Sequence, residues 1–212
     1  MIDIISHRGL WANPKEKNTL SAFEESLKNN FGIETDIRDH NGEIVISHDI
    51  PIHSNELIYF DDFINLYKSF SNQNTLAINI KSDGLSNALR EMLKLENISN
   101  YFVFDMSIPE TISYKKNKLI FYTRQSEFEK DPVFYDECYG VWLDQFTEDW
   151  IDQTILEYHH NNNKKICIVS PELHGRDYLS AWEKYKNINK KNTHLNFIIC
   201  TDHPLEARSF FE

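Results

Sequence analysis

A small (β/α)8 barrel with a β-hairpin extension after its second strand is the fold class this sequence predicts. Three observations lead there. Short apolar runs alternate with amphipathic helical patterns eight times along 212 residues, a rhythm that calls for parallel strands joined by helical crossovers. No glycine-rich phosphate loop follows the first strand, as an open doubly wound sheet would usually carry. Polar, chemistry-bearing residues recur at the carboxyl ends of the strands, the face on which barrel active sites are built.

The first strand is expected over 2–6 and runs into His7-Arg8-Gly9. Asn18 or Thr19 caps the next helix, whose Leu20, Phe23, Leu27 and Phe31 fall at helical spacing, with Gly32 as the stop. The second strand starts at Ile33. Ile33, Thr35 and Ile37 alternate there with Glu34, Asp36 and Arg38, so two acids and an arginine share one face. Asn41-Gly42 is a hairpin-turn dipeptide, and the return strand over 43–47 delivers His48-Asp49. Further strands are expected over 76–81, 101–106, 119–122, 140–143, 165–170 and 197–201. Helices are expected over 60–70, 85–95, after Pro109, over 150–160 and 178–185, and from about Pro204; residues 127–136 read as helix or loop. His159 and His160, at a helix end, read as solvated, and His40, His53, His194 and His203 show no metal-like spacing. The four tryptophans read as packing residues.

The length suits one domain over 1–212 with a real core. A formal net charge of -11 argues against nucleic acid or an anionic membrane as the main partner, since both need a basic footprint. No apolar run approaches the ~18 residues of a membrane span, so stable membrane insertion is not expected. There is no signal-peptide pattern at the start, and the odd set Cys138, Cys167 and Cys200 suggests reduced thiols and a cytoplasmic protein.

His7, Glu34, Asp36, Asn79, Lys81, Asp105, Arg124, Asp144, Glu172 and Asp202 all fall at or just past expected strand ends, with His48 ending the hairpin beside them. Two carboxylates about 4 Å apart repel by roughly 4 kcal/mol at an effective dielectric near 20, so Glu34 and Asp36 call for a cation between them. Their hard oxygens suit Mg2+ or Ca2+, and Asn79 could add a carbonyl oxygen. Arg38 or a lysine would serve the same need. Two histidines that titrate near neutral pH can take a proton from an attacking hydroxyl and return one to a leaving alkoxide. Arg8, Lys81 and Arg124 could balance a phosphate.

The chain resembles the glycerophosphodiester phosphodiesterase family in HRG at 7–9, NTLSAF at 18–23, the acids Glu34 and Asp36, the Asn-Gly turn, VISHD at 45–49 and CTDHP at 200–204. The resemblance implies a barrel phosphodiesterase acting on a small glycerol- or polyol-type diester. It also implies a divalent cation, Mg2+ or Ca2+, held by Glu34 and Asp36, a phosphate contact from Arg8, and His7 and His48 as acid and base. Asp105 is a further metal candidate, and Arg124 and Glu172 are candidates for substrate binding. Asn79 departs from the family, which usually carries a glutamate two residues before the third-strand lysine. The altered strand ends leave room for a phosphodiesterase or lyase acting on a phosphodiester-bearing glycan, or for a silent barrel that only binds a phosphate ligand.

Overall fold

In the computed structural model, residues 2–52, 57–71 and 74–212 are described, and His53 lies outside them. The chain divides into two compact units. One is Ser6–Phe121; the other is Tyr122–Glu212 with the opening residues of the first strand.

The unit Ser6–Phe121 takes the end of β1 (Asp3–His7), then α1 (Leu20–Lys28), β2 (Gly32–His40), β3 (Glu43–Ile46), β4 (Ile58–Tyr59), α2 (Phe60–Lys68), β5 (Leu76–Ile80), α3 (Ser86–Leu95), β6 (Tyr101–Phe104) and α4 (Ile108–Lys116). Its strands lie in the order β4-β3-β2-β5-β6. β2 runs parallel to β5 with Asp36 opposite Asn79, and β5 parallel to β6 with Asn79 opposite Phe104. β2 and β3 are antiparallel across Asn41-Gly42. Both turn residues have positive φ, 52° and 88°, the signature of a type I′ turn, whose twist matches the strands it joins. α1 and α2 meet through aromatic rings, with Phe23 and Phe63 centroids 4.7 Å apart. Phe23, Phe60 and Phe63 are fully buried, each contributing about 1.5–3 kcal/mol of burial.

The second unit holds β7 (Tyr122–Gln125), β8 (Gly140–Leu143), α5 (Gln153–Asn161), β9 (Lys165–Val169), α6 (Leu179–Lys191), β10 (Ile198–Thr201) and α7 (Pro204–Phe211). Its strands run parallel in the order β7-β8-β9-β10, and Asp3 N–H donates to the Phe197 carbonyl at 3.3 Å. Its core gathers Val141, Leu143, Ile166, Ile168, Trp182, Tyr185 and Phe197. All three cysteines are free and buried.

The helix exits share one device. After α1, α3, α4 and α5 the residues Asn30, Asn97, Lys118 and Asn163 adopt left-handed backbone, φ 57–59°. Beyond each, an N–H reaches back five residues, from Phe31, Ile98, Leu119 and Lys164 to the carbonyls of Ser26, Leu93, Tyr114 and His159. This is the Schellman closure, which satisfies carbonyls the helix end leaves open. The stop of α1 is therefore Asn30, not Gly32, which opens β2. Asparagine serves because its short amide tolerates left-handed backbone better than other side chains.

Other boundaries also move. Residues 127–136 form no helix, and α6 runs on past 185 to Lys191. Phe121 makes only an isolated parallel bridge to Val103, and the next strand, β7, begins at Tyr122. His159 is fully buried, not solvated. Its Nδ1 pairs with Tyr135 Oη and its Nε2 with Gln125 Oε1, each at 2.8 Å. Burial, then nearby Lys164, push the ring down to about 4.

Candidate active site

The loop after β1 is shaped by two consecutive left-handed residues, Arg8 at φ 59° and Gly9 at φ 89°. A Cβ on Gly9 would stand 2.7 Å from Ala22 Cβ and 2.8 Å from its carbonyl carbon, so only glycine fits there. The turn lets Arg8 N–H reach the Glu34 carbonyl at 3.0 Å and Leu10 N–H reach the Ala22 carbonyl at 2.9 Å. Asn18 N–H closes the loop onto the Arg8 carbonyl at 2.9 Å. His7 is left at the strand end, with Trp11 Nε1–H donating to its carbonyl at 3.1 Å.

β2 then supplies the acids. Glu34 and Asp36 are buried, at 1% and 0% exposure, which rules out a solvated strand edge. Asp36 is ringed by donors. Arg8 Nε stands 2.8 Å from Oδ2, Asn18 Nδ2 donates to the same oxygen at 2.9 Å, and Lys81 Nζ is 3.3 Å from Oδ1. Thr35 Oγ1 donates to Asn18 Oδ1 at 3.0 Å and so fixes the amide's orientation. Glu34 has less help. His7 Nε2 lies 3.8 Å from Glu34 Oε2. Burial first, and the Asp36 charge second, push the Glu34 carboxyl up to about 8. Arg8, Lys81 and a hydrogen bond from Asn79 pull the other way.

Two buried oxygens in this group, Glu34 Oε2 and Asn79 Oδ1, have no hydrogen-bond partner among the described residues, and Asp36 Oδ1 meets only the Lys81 ammonium at 3.3 Å. Leaving such atoms unpaired costs about 1–3 kcal/mol each. No three His, Cys, Asp or Glu side chains converge as a metal cage among the described residues; the third oxygen here is an amide. Two carboxylates and an amide carbonyl are nonetheless the hard donors that Mg2+ and Ca2+ take, so the residues fit a divalent cation.

His48 is fixed through its backbone. Ser47 N–H donates to the Asp36 carbonyl at 3.1 Å, and Arg38 Nε donates to the His48 carbonyl at 3.1 Å. Its Nδ1 pairs with Asp49 Oδ1 at 2.9 Å, and the ring is half-exposed. Asp105 stands one residue past Phe104, the strand partner of Asn79, in left-handed backbone at φ 64°.

The structure thus gathers His7, Arg8, Glu34, Asp36, Asn79 and Lys81. Arg124 and Glu172 belong to the other unit, each with partners of its own. Arg124 pairs with Glu129 and lies over the Phe146 ring, 5.7 Å from its centroid. Glu172 accepts from the Ser170 and Thr201 hydroxyls and, at 3.1 Å, from Asp202 N–H. It clasps the end of β9 to the end of β10. One residue of the site escaped the sequence reading. Asn18 is a second partner of Asp36, while Thr19 caps α1 by accepting from Ala22 N–H. The signal was an asparagine left over once threonine is given the cap.

The class of fold is settled by likeness to solved structures: a small (β/α)8 barrel. A protein of Galdieria sulphuraria, provisionally described as a glycerophosphodiester phosphodiesterase, superposes with a TM-score of 0.78 at 15% identity, covering 100% of this chain and 98% of that one. The glycerophosphodiester phosphodiesterase of Agrobacterium tumefaciens gives 0.70 at 14% identity, covering 100% and 99%. A glycerophosphoryl diester phosphodiesterase of Parabacteroides distasonis gives 0.70 at 13%, covering 99% and 86%. No protein-family model matches this chain, and no curated protein matches it. No helix among the described residues is long and apolar enough to cross a membrane.

Proposed function

We propose that the chain is a metal-dependent phosphodiesterase that hydrolyses a small glycerol- or polyol-type phosphodiester by histidine acid–base catalysis. The observation that carries this reading is the buried oxygen cluster of Glu34, Asp36 and Asn79, two of whose oxygens lack a hydrogen-bond partner among the described residues, with His7 Nε2 3.8 Å from Glu34 Oε2. Glu34, Asp36 and Asn79 would hold Mg2+ or Ca2+, with Asp105 a further candidate at the next strand end. A bound cation there would polarise the phosphoryl oxygens. His7, its Nε2 facing Glu34, takes or returns the proton of one ester oxygen. His48, with Nδ1 engaged by Asp49, keeps Nε2 for proton transfer at the other oxygen. Arg8 and Lys81 orient Asp36 and add positive field for the phosphate. Three free thiols are what a reducing cytoplasm permits.

The test is hydrolysis of glycerophosphocholine and bis(p-nitrophenyl) phosphate with Mg2+ or Ca2+. Turnover in wild type that collapses in His7→Ala supports the reading; equal background in both overturns it. Asn79, where the resembled family has an acid, favours a second reading, a barrel that binds its ligand without chemistry. Calorimetric cation binding with no turnover of any diester would select that one.

A further inference from the structure

The second unit carries an arrangement that the proposed chemistry does not use. Between β8 and α5 the chain has no regular structure, yet it is held on both sides. Glu127 accepts from the N–H groups of Phe146, Thr147 and Glu148 and from the Thr147 hydroxyl. Burial tends to raise that carboxyl, but these donors outweigh it and hold it down at about 2. Arg176 Nη1 donates to the Gln145 carbonyl at 2.8 Å and the Glu148 carbonyl at 3.2 Å. A loop clamped this firmly presents its side chains in one geometry, as recognition requires.

What it presents is Phe146. The His174 ring lies against it, centroids 4.6 Å apart and tilted 48°; Arg124 lies over the half-buried ring, 5.7 Å from its centroid, and Phe128, which is 71% exposed, stands 6.1 Å away. His174 is itself fixed, its Nε2 2.6 Å from Asp144 Oδ1. Asp144 is buried and also accepts from Gln145 N–H at 3.0 Å. With Nε2 held by the acid, Nδ1 is the ring nitrogen left to meet a ligand. An aromatic ring beside an oriented imidazole nitrogen suits a molecule with C–H faces and hydroxyls, which can donate or accept.

We infer that Phe146 and His174 form a subsite for a polyhydroxylated group, a polyol or sugar ring, which packs its C–H face on Phe146 and hydrogen-bonds through a hydroxyl to His174 Nδ1. Asp144 is the positioning residue that sets the imidazole. The subsite stands on this unit's own residues.

The experiment is an amide NMR titration of the full chain with myo-inositol and with glycerol, followed by turnover of glycerophosphoinositol. Saturable shifts at Phe146, Thr147 and His174 are expected, weakened about tenfold in Phe146→Leu and His174→Ala, as losing one contact of ~1.4 kcal/mol predicts. Asp144→Asn should weaken binding while leaving the Thr147 N–H signal in place, which separates orientation of the ring from collapse of the loop. Absence of shifts, or shifts the variants leave unchanged, overturns the subsite. Retained polyol binding in a chain that turns over no diester would remove the phosphodiesterase reading and leave the subsite standing.

Discussion

The two units treat their polar strand ends in opposite ways. In Ser6–Phe121 the acids are buried and crowded: Asp36 is held by Arg8, Asn18 and Lys81, while Glu34 Oε2 and Asn79 Oδ1 have no hydrogen-bond partner among the described residues. In Tyr122–Glu212 the carboxylates are engaged: Glu172 by Ser170, Thr201 and Asp202, Asp144 by His174 and Gln145, Glu127 by the loop it clamps. An unsatisfied buried carboxylate oxygen is costly, and a bound ligand would relieve that cost. An engaged one ties neighbouring segments together.

Substitutions can break this contrast. The largest effect belongs to the first unit. His7→Ala and His48→Ala should each lower diester turnover by about 10²–10⁴, with the thermal midpoint nearly unmoved; a large drop in Tm with unchanged turnover per folded molecule would reverse the assignment. In the second unit the expectation is inverted. Ser170 is fully buried, donates to Glu172 and accepts from Trp182 Nε1 at 2.8 Å. Ser170→Ala should cost about 1–3 kcal/mol of stability in denaturant titration and leave turnover of the remaining folded enzyme alone.

Asn79→Glu sharpens the comparison from within the first unit. It adds a carboxylate where an amide oxygen is unpaired, so calorimetry should show Mg2+ or Ca2+ bound about tenfold tighter, ~1.4 kcal/mol. Chelation with EDTA should then lower the Tm of the cation-loaded variant more than that of wild type. Unchanged affinity would mean the position does not face the cation.

The smallest effect concerns His159. Its folded value, about 4, lies below the ordinary 6.5. The unfolded chain therefore takes up the proton first, and the ring's contribution to stability is intact above about pH 6.5. It drains away as pH falls from 6.5 toward 4. His159→Gln should flatten that part of the stability–pH curve, measured by urea unfolding at several pH values; an unchanged slope would place the acid sensitivity elsewhere.

Much of this was legible in the residues. Strand order and type followed from apolar runs and spacing, because parallel strands buried on both faces leave that imprint. The pairing of Glu34 with Asp36 followed from period-two alternation alone. His159 could have been read as buried, since it falls three residues after Leu156 on the same helix face; its charge class misdirected the reading. The clasp made by Glu172 and the clamp made by Glu127 were not legible. Each joins segments far apart in sequence, 29 and 20 residues for the Thr201 and Thr147 contacts, and no local pattern encodes such a reach. The Arg124–Glu129 pair was not legible either, because Glu129 sits in a stretch without periodicity.

The asparagine exits after α1, α3 and α5 carry a consequence for the unfolded chain. Six glycines in 212 residues is sparse for so many reversals of direction. Glycine roams freely when unfolded, and replacing it at a tolerated position is worth about 0.4–1 kcal/mol in entropy saved. By turning corners with side-chain amides, this polypeptide keeps its denatured ensemble narrower than a glycine-cornered relative would.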